Sequence, residues 1–293
     1  MKHPIRLDPQ CVKCLLDKHL TAYPQDTPQA LRVAYMQRLL RIVADAPACW
    51  GAPVLVGQIK QLREELFGER EDFSAVKTYF NRLMLEREGE IEDRIAAADD
   101  PLKTALCYAM IGNYIDFGAM KHVDEGELAA LLDAPERFAP DPGEYAALKE
   151  ALAKAGHVAY LTDNCGEIVF DKLLIRTMMQ MYPGAAVTVI VRGAPTLNDA
   201  TIEDARQVGM DVIARVIGNG SGVAGTHWDE LSEEARGALF GADVILAKGQ
   251  ANHETMRHCG MNVFYIFLCK CHLFADRFGV ERFSGMLIHD SRC

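Results

Sequence analysis

Residues 157–176 read HVAYLTDNCGEIVFDKLLIR, and the fold of the chain turns on how this stretch is read. Five residues ending at Leu161, rich in Val, Tyr and Leu, form the apolar run of a buried strand. The chain then turns polar through Thr162, Asp163 and Asn164, passes Cys165 and Gly166, and from Glu167 enters an amphipathic helical pattern carried by Ile168, Leu173, Leu174 and Met178. A strand that feeds a helix through a short polar turn opens a crevice at its carboxyl end, where open α/β sheets hold their ligands. Asp163 and Asn164 place two oxygen donors on that turn. The same residue types also cap helices, so the rest of the chain decides between the two roles.

Working outward toward the carboxyl terminus, strands are expected at 157–161, 186–191, 211–216, 244–247, 263–267 and 286–288, and helices at 167–181, 202–208, 228–240 and 252–258. That alternation predicts a Rossmann-like α/β fold, a mainly parallel sheet with helices on both faces. Upstream the strand signal disappears. Helical patterns at 30–44, 54–67, 73–94, 102–117 and 125–132, with one more ending near 155, are separated by breakers. The prolines 135, 140 and 142 mark a linker. The expected organisation is a helical domain over 1–134, whose N-terminal C-x-x-C segment is free to pack on the second domain, and a Rossmann-like catalytic domain over 143–293. The run Gly218-Asn219-Gly220-Ser221-Gly222 reads as a mobile rim, since it lacks the Lys-Ser/Thr that completes a P-loop.

The 293 residues carry a formal net charge of -10, which argues against a nucleic-acid partner held through phosphates. No apolar run reaches membrane-spanning length, and the first ten residues lack the apolar core of a signal peptide. A cytoplasmic protein with no membrane partner is expected. Nine cysteines, an odd number spread along the chain, do not suggest a disulfide framework.

Polar residues recur just after several of the strands: Asp163 and Asn164, then Arg192 with Asn198 and Asp199, then Lys248 with Gln250 and Asn252, then Lys270. In a parallel sheet these positions converge on one edge. Two carboxylates and an amide are hard oxygen donors suited to Mg, Mn or a similar divalent ion. The two lysines suit a phosphate, and Arg192, Asn252 and Lys270 stand as candidates for the substrate side. Cys11-x-x-Cys14 and Cys269-x-Cys271 form either a thiolate site for zinc or iron, a second and softer metal, or a set of buried inert thiols. Cys165 is disfavoured as a nucleophile, and His253 and His272 are expected to be structural.

Asp163-Asn164 with Gly166-Glu167, Asn198-Asp199-Ala200-Thr201, the run from Lys248 to Thr255 (KGQANHET) and the closing Lys270-Cys271 resemble the damage-control phosphatases, metal-dependent enzymes long catalogued as domain of unknown function 89. The segment from Gly112 to Gly118 (GNYIDFG) is similar to that family's motif in the helical half, and the N-terminal C-x-x-C to that of its stand-alone microbial branch. The resemblance covers most of the chain. It implies one divalent cation held by Asp163, Asn164 and Asp199, with Mn, Co or Ni preferred, and Lys248 as a catalytic residue on the substrate phosphate. It also implies that Asn113 and Asp116 reach across from the helical domain toward a small phosphorylated metabolite. Asp204 competes for the third ligand position, but it lies inside a helix pattern, so Asp199 is preferred. Glu167 is a candidate for supporting the metal ligands or for acid/base chemistry, with helix N-terminal charge as the plainer role. The activity implied is hydrolysis of phosphomonoesters, sugar phosphates first. Two rivals remain: a non-hydrolytic metal or redox module built on the cysteines, and a Rossmann-type transferase. Against a dinucleotide, the first turn reads TDNCGE rather than G-x-G-x-x-G.

Overall fold

In a computed structural model of the chain, which describes residues 6–68, 72–117 and 123–292, six strands form one sheet. They are β1 (His157–Leu161), β2 (Ala186–Val191), β3 (Arg215–Gly218), β4 (Val244–Lys248), β5 (Val263–Leu268) and β6 (Gly285–His289). Their spatial order is β3-β2-β1-β4-β5-β6, parallel throughout except for β6, which runs antiparallel to β5. The order steps outward from β1 to β3, then restarts at β4 on the other side of β1. The crevice therefore opens at the carboxyl ends of β1 and β4, the topological switch point.

The helices are α1 (Pro9–His19), α2 (Gln29–Asp45), α3 (Ala52–Phe67), α4 (Ser74–Ala96), α5 (Pro101–Gly112), α6 (Glu125–Leu132), α7 (Pro142–Lys154), α8 (Glu167–Met181), α9 (Ile202–Gln207), α10 (Glu233–Phe240), α11 (Gln250–Met256) and α12 (His272–Phe278). Strand side chains alternate between two buried faces. Val158, Tyr160, Val189, Leu246 and Ile266 join the apolar faces of α4 to α9 in one core. Ala159, Leu161, Ile190, Ala247 and Phe267 meet α10, α11 and α12 in another. A sheet covered on both faces needs apolar residues at every strand position, which explains the unbroken runs in the sequence. A third, smaller cluster joins α1, α2 and α3 through Leu15, Tyr35, Leu39, Leu55 and Ile59.

The first core runs without a break across the proline-marked linker: Leu106, Met110 and Ile111 of α5 share it with Phe170, Leu173 and Leu174 of α8. At Gly112 the two helices come so close that a Cβ would stand 2.8 Å from the Phe170 ring. Helices α4, α5 and α6, before the linker, thus form part of one cover of the sheet.

Local departures from the expected pattern have local causes. Helix α5 stops at Gly112 rather than 117, because Asn113 spends its side chain on the sheet edge instead of solvent. Strand β3 begins at Arg215 rather than 211, because the chain winds through a 3-10 turn, Met210–Val212, first. Helix α12 follows β5 where no helix was expected. The glycine-rich loop expected as a mobile rim is tied down: Asn219 Oδ1 accepts from the Gly193 and Ser221 amides, Ser221 Oγ donates to Glu230, and the Thr226 hydroxyl donates to Asn252.

Candidate active site

Past the end of β1, the Thr162 amide still donates to Ile190 O, so the turn leaves the sheet held in register with β2. The chain leaving β2 comes back alongside it. Ala200 N donates to Asp163 O at 2.7 Å, Cys165 N donates to Asn198 O at 2.8 Å, and Asn164 pairs with Asp199 as an isolated antiparallel bridge. This backbone clamp brings together Asp163, Asn164 and Asp199, the three residues that the family resemblance implies as cation ligands.

Their side chains are buried. Burial, reinforced by Glu167, Asp199 and Asp116, holds the Asp163 carboxyl well above the usual carboxylate range against the pull of Arg192. Asp199 is raised too, by burial, although Arg192 opposes this. Arg192, expected on the substrate side, is instead their internal counter-ion. Its Nε donates to Asp199, its Nη1 donates to Gly225 O at 2.7 Å, and its Nη2 stands 3.6 Å from Asp163 Oδ1, with no hydrogen-bond partner among the described residues. Gly249 closes the other side of Asp163. Its φ is +82°, and a Cβ there would fall 2.0 Å from Asp163 Oδ2, so only glycine fits.

Two amides orient the pair. Asn113 Nδ2 donates to Asp163 Oδ2 at 2.9 Å and to Glu167, while its Oδ1 accepts from Leu268 N at 3.1 Å. Asn164 Nδ2 donates to Asp163 Oδ2 at 2.8 Å and to Glu167 Oε2 at 2.9 Å. With its NH₂ so committed, Asn164 has its carbonyl oxygen left for a cation. Two buried carboxylates opposed by one incompletely bonded guanidinium, next to an amide oxygen, fit a hard divalent ion. No group of three or more His, Cys, Asp or Glu is placed to hold a metal among the described residues, so any third donor beside the two carboxylates would come from another group such as the Asn164 amide.

Lys248, expected on the phosphate, lies fully buried with all three protons in use. Its Nζ donates to Glu167 Oε1 and Asp171 Oδ1, both at 2.6 Å, and to Ala109 O at 2.9 Å. An ammonium has three donors, so this arrangement leaves none for a substrate. Asn252 is likewise withdrawn from the substrate side: buried, it donates to Lys248 O at 2.7 Å and accepts from the Thr226 hydroxyl. Lys270 differs. Its ammonium has one acceptor among the described residues, Asp116 Oδ2 at 2.6 Å, a pair that ties the chain after α5 to the chain after β5. Gly118, the last residue of the motif in the helical half, lies outside the described residues.

Asp204 caps α9 through Thr201 and pairs with Lys77 of α4 at 2.6 Å, a structural duty that accounts for its helix position. Burial pushes the Cys165 thiol upward, the reverse of an activated nucleophile. The N-terminal segment does dock on the sheet half: Arg6 donates to Arg257 O at 3.1 Å and Arg277 pairs with Asp8 at 3.4 Å. Burial, then Glu254, and to a lesser degree Cys271 push the Cys11 thiol up to about 12. Cys14 is exposed and Cys269 buried. His253 sits among the rings of Tyr265, Phe267, Phe274 and Phe278, a core position in which burial lowers its pKa to about 3.

Sequence reasoning missed Asp171, Tyr160 and Asn81. Asp171 lies one helical turn after Glu167 on the same face, a spacing that could have flagged it. Asn81, which accepts from the Gly166 amide at 2.6 Å and so steadies the turn from α4, carries no such signal. A groove of about 510 Å³ between α2 and α3, lined by Arg38, Trp50 and Gln58 among others, shares none of the residues of the acidic cluster.

Comparison with known proteins points to one family. The family described as damage-control phosphatase ARMT1-like domain matches residues 7–285. A protein of Archaeoglobus fulgidus named damage-control phosphatase is 32% identical over 284 residues, 94% of this chain and 96% of its own. A damage-control phosphatase of Pyrococcus horikoshii is 34% identical over 170 residues, 57% of this chain and 58% of its own. The crystal structure of a DUF89 family protein from Pyrococcus horikoshii shares the fold, with a TM-score of 0.74 over 97% of this chain and 99% of that one at 24% identity.

Proposed function

The chain belongs to the damage-control phosphatase ARMT1-like family, and from that premise we propose that it is a metal-dependent phosphatase hydrolysing phosphomonoesters of small metabolites, sugar phosphates first. The observation that carries this reading is the meeting of Asp163, Asn164 and Asp199 at the switch point between β1 and β4, with Arg192 as the cation paired to both carboxylates among the described residues. A divalent ion, Mn, Co, Ni or Mg, is the complement such a site calls for, and when bound it polarises a phosphoryl oxygen as a Lewis acid.

The chain's own residues divide the rest of the work. Asp163, Asp199 and the Asn164 oxygen hold the cation. Arg192 keeps the two carboxylates from forcing each other apart. Asn113, fixed at both ends of its amide, sets the rotamer of Asp163. Lys270, with one acceptor where Lys248 has three, is the ammonium able to turn from Asp116 to a phosphate and neutralise its charge. Residues 1–134 shape the pocket over the catalytic part, 143–293, and so select the substrate. In this reading the enzyme works in the cytoplasm, without a nucleic-acid or membrane partner.

The test is a panel of phosphomonoesters offered to chelator-stripped protein, with Mn, Co, Ni and Mg added back one at a time. Hydrolysis that depends on the added ion is expected. No turnover of any ester with any of the ions would overturn the reading.

A further inference from the structure

Lys248 lies at the end of β4, the strand that forms the switch point with β1, yet it meets no solvent. Each of its three bonds reaches a different piece of the site's frame. The bond to Glu167 Oε1 anchors a carboxylate whose other oxygen accepts from Asn164 Nδ2 at 2.9 Å, Asn164 N at 3.3 Å and Asn113 Nδ2 at 3.0 Å. The bond to Ala109 O serves a carbonyl in the last turn of α5, where helices leave such groups without an internal partner. The very next residue after α5 is Asn113. The bond to Asp171 Oδ1, which also accepts from the Tyr160 hydroxyl at 2.8 Å, fixes the ammonium itself.

An amide side chain offers a cation its oxygen or its NH₂ according to how it is turned. Asn164 is turned by Glu167 and Asp163, which both take its NH₂. Glu167 in turn has one cation to hold it, Lys248, among the described residues. We infer that Lys248 is a positioning residue for the cation site: by locking Glu167 and the end of α5, it fixes the amides of Asn164 and Asn113 so that the Asn164 oxygen faces the ion. This rests on the cation site proposed above, but it removes from Lys248 the phosphate contact that its place after β4 suggests.

The two roles separate by measurement on Lys248→Met, which keeps the buried stem and removes the ammonium, and on Glu167→Gln, which breaks the next link while leaving the ammonium. Mn²⁺ is titrated into chelator-stripped protein with free ion read by electron paramagnetic resonance, inorganic phosphate is then titrated into the Mn-saturated form, and thermal melting establishes that each variant is folded. Positioning predicts Mn²⁺ affinity lower by roughly 10–100-fold in both variants, the usual cost of losing a group behind a ligand. Phosphate affinity of the Mn-saturated protein should stay within about threefold, because neither residue touches the anion. Unchanged Mn²⁺ affinity in a folded variant overturns the inference, and so does a tenfold loss of phosphate affinity with Mn²⁺ binding intact. If Lys248→Met does not fold, Glu167→Gln decides alone. Failure of the unaltered protein to bind Mn²⁺ is a separate result, which overturns the cation site itself.

Discussion

Two buried clusters lie side by side at the switch point, each with two carboxylates and one cation, and they differ in how completely the cation is used. In one, Lys248 gives all three protons to acceptors at 2.6, 2.6 and 2.9 Å. In the other, Arg192 bonds Asp199 and Gly225 but leaves Nη2 unbonded and 3.6 Å from Asp163, whose carboxyl is pushed up by burial and by its acidic neighbours. In the first cluster the cation is saturated and holds the frame. The second has unspent negative charge and an unspent donor, which is what a site for a cation and an anionic substrate needs. Sequence position treats the two cations alike, since both follow strands; hydrogen-bond accounting separates them.

The sharpest way to break the comparison is Asp199→Ala. If the open cluster is the catalytic one, this variant loses metal-dependent hydrolysis by roughly 10³-fold or more, the scale of several kcal/mol that a metal supplies. Its melting temperature in the absence of metal should also fall, since the buried Arg192 Nε loses its acceptor, so folding is verified by melting before rates are compared. Steady-state rates at saturating Mn²⁺ check it, and retained activity would remove Asp199 from the ligand set.

Arg192→Met should cost stability rather than chemistry alone. Stripping the cation from a buried group of charges typically destabilises by about 3–5 kcal/mol. Added Mn²⁺ should restore roughly 2–3 kcal/mol of that at a hundredfold excess over its dissociation constant, because the ion binds only the folded form. Urea unfolding with and without Mn²⁺ gives both numbers. Destabilisation that metal does not relieve would mean that Arg192 serves packing and not the charge of the site.

Lys270→Ala addresses the lysine that, unlike Lys248, has a single acceptor among the described residues. Loss of a positioned positive charge on a transferring phosphoryl group costs on the order of 2–4 kcal/mol in kcat/KM. Mn²⁺ affinity without substrate should hold, since Lys270 pairs with Asp116 and with neither proposed carboxylate ligand. Full activity in this variant would leave the substrate phosphate without an ammonium among the residues argued above.

Much of this was legible in the sequence because it depends on period and order. Strands buried on both faces announce themselves as unbroken apolar runs, and their alternation with helices fixes a parallel sheet and its crevice. Hence Asp163, Asn164, Asn198 and Asp199 could be placed at one edge before any geometry was seen, while the choice of Asp163, Asn164 and Asp199 as ligands came from the family resemblance. What stayed hidden depends on partners far apart in the chain. That Lys248 meets Glu167, Asp171 and a carbonyl of α5 follows from α5 crossing α8 at Gly112, a close approach that no local pattern encodes. Asn252 and Arg192 look like ligand-facing residues by position, yet Thr226 and Asp199 had already claimed them. Helix α12 was missed although its seven residues equal α11 in length, and nothing in the structure explains that difference.

The smallest expected effect lies within the Lys248 cluster and turns on sign. Asp171 Oδ1 accepts from Lys248 and Tyr160, while Oδ2 is buried with no partner among the described residues. Burial raises its pKa to about 7, more than Lys248 lowers it, with Glu167 adding to the rise. In the unfolded chain an aspartate titrates near 3.9. Between about pH 4 and 7 the folded protein therefore binds the extra proton, so this group's contribution to stability is complete below pH 4 and is lost as pH rises through 7. Asp171→Asn keeps the Oδ1 acceptor and cannot ionise. Relative to the unaltered protein it should gain stability on going from pH 5 to pH 8, by roughly 2–3 kcal/mol. Melting temperatures of both proteins at the two pH values decide it. A variant that instead loses ground at pH 8 would mean that the ionised Asp171–Lys248 pair is favourable in its own right, and the two clusters would then differ less in charge than their hydrogen bonds imply.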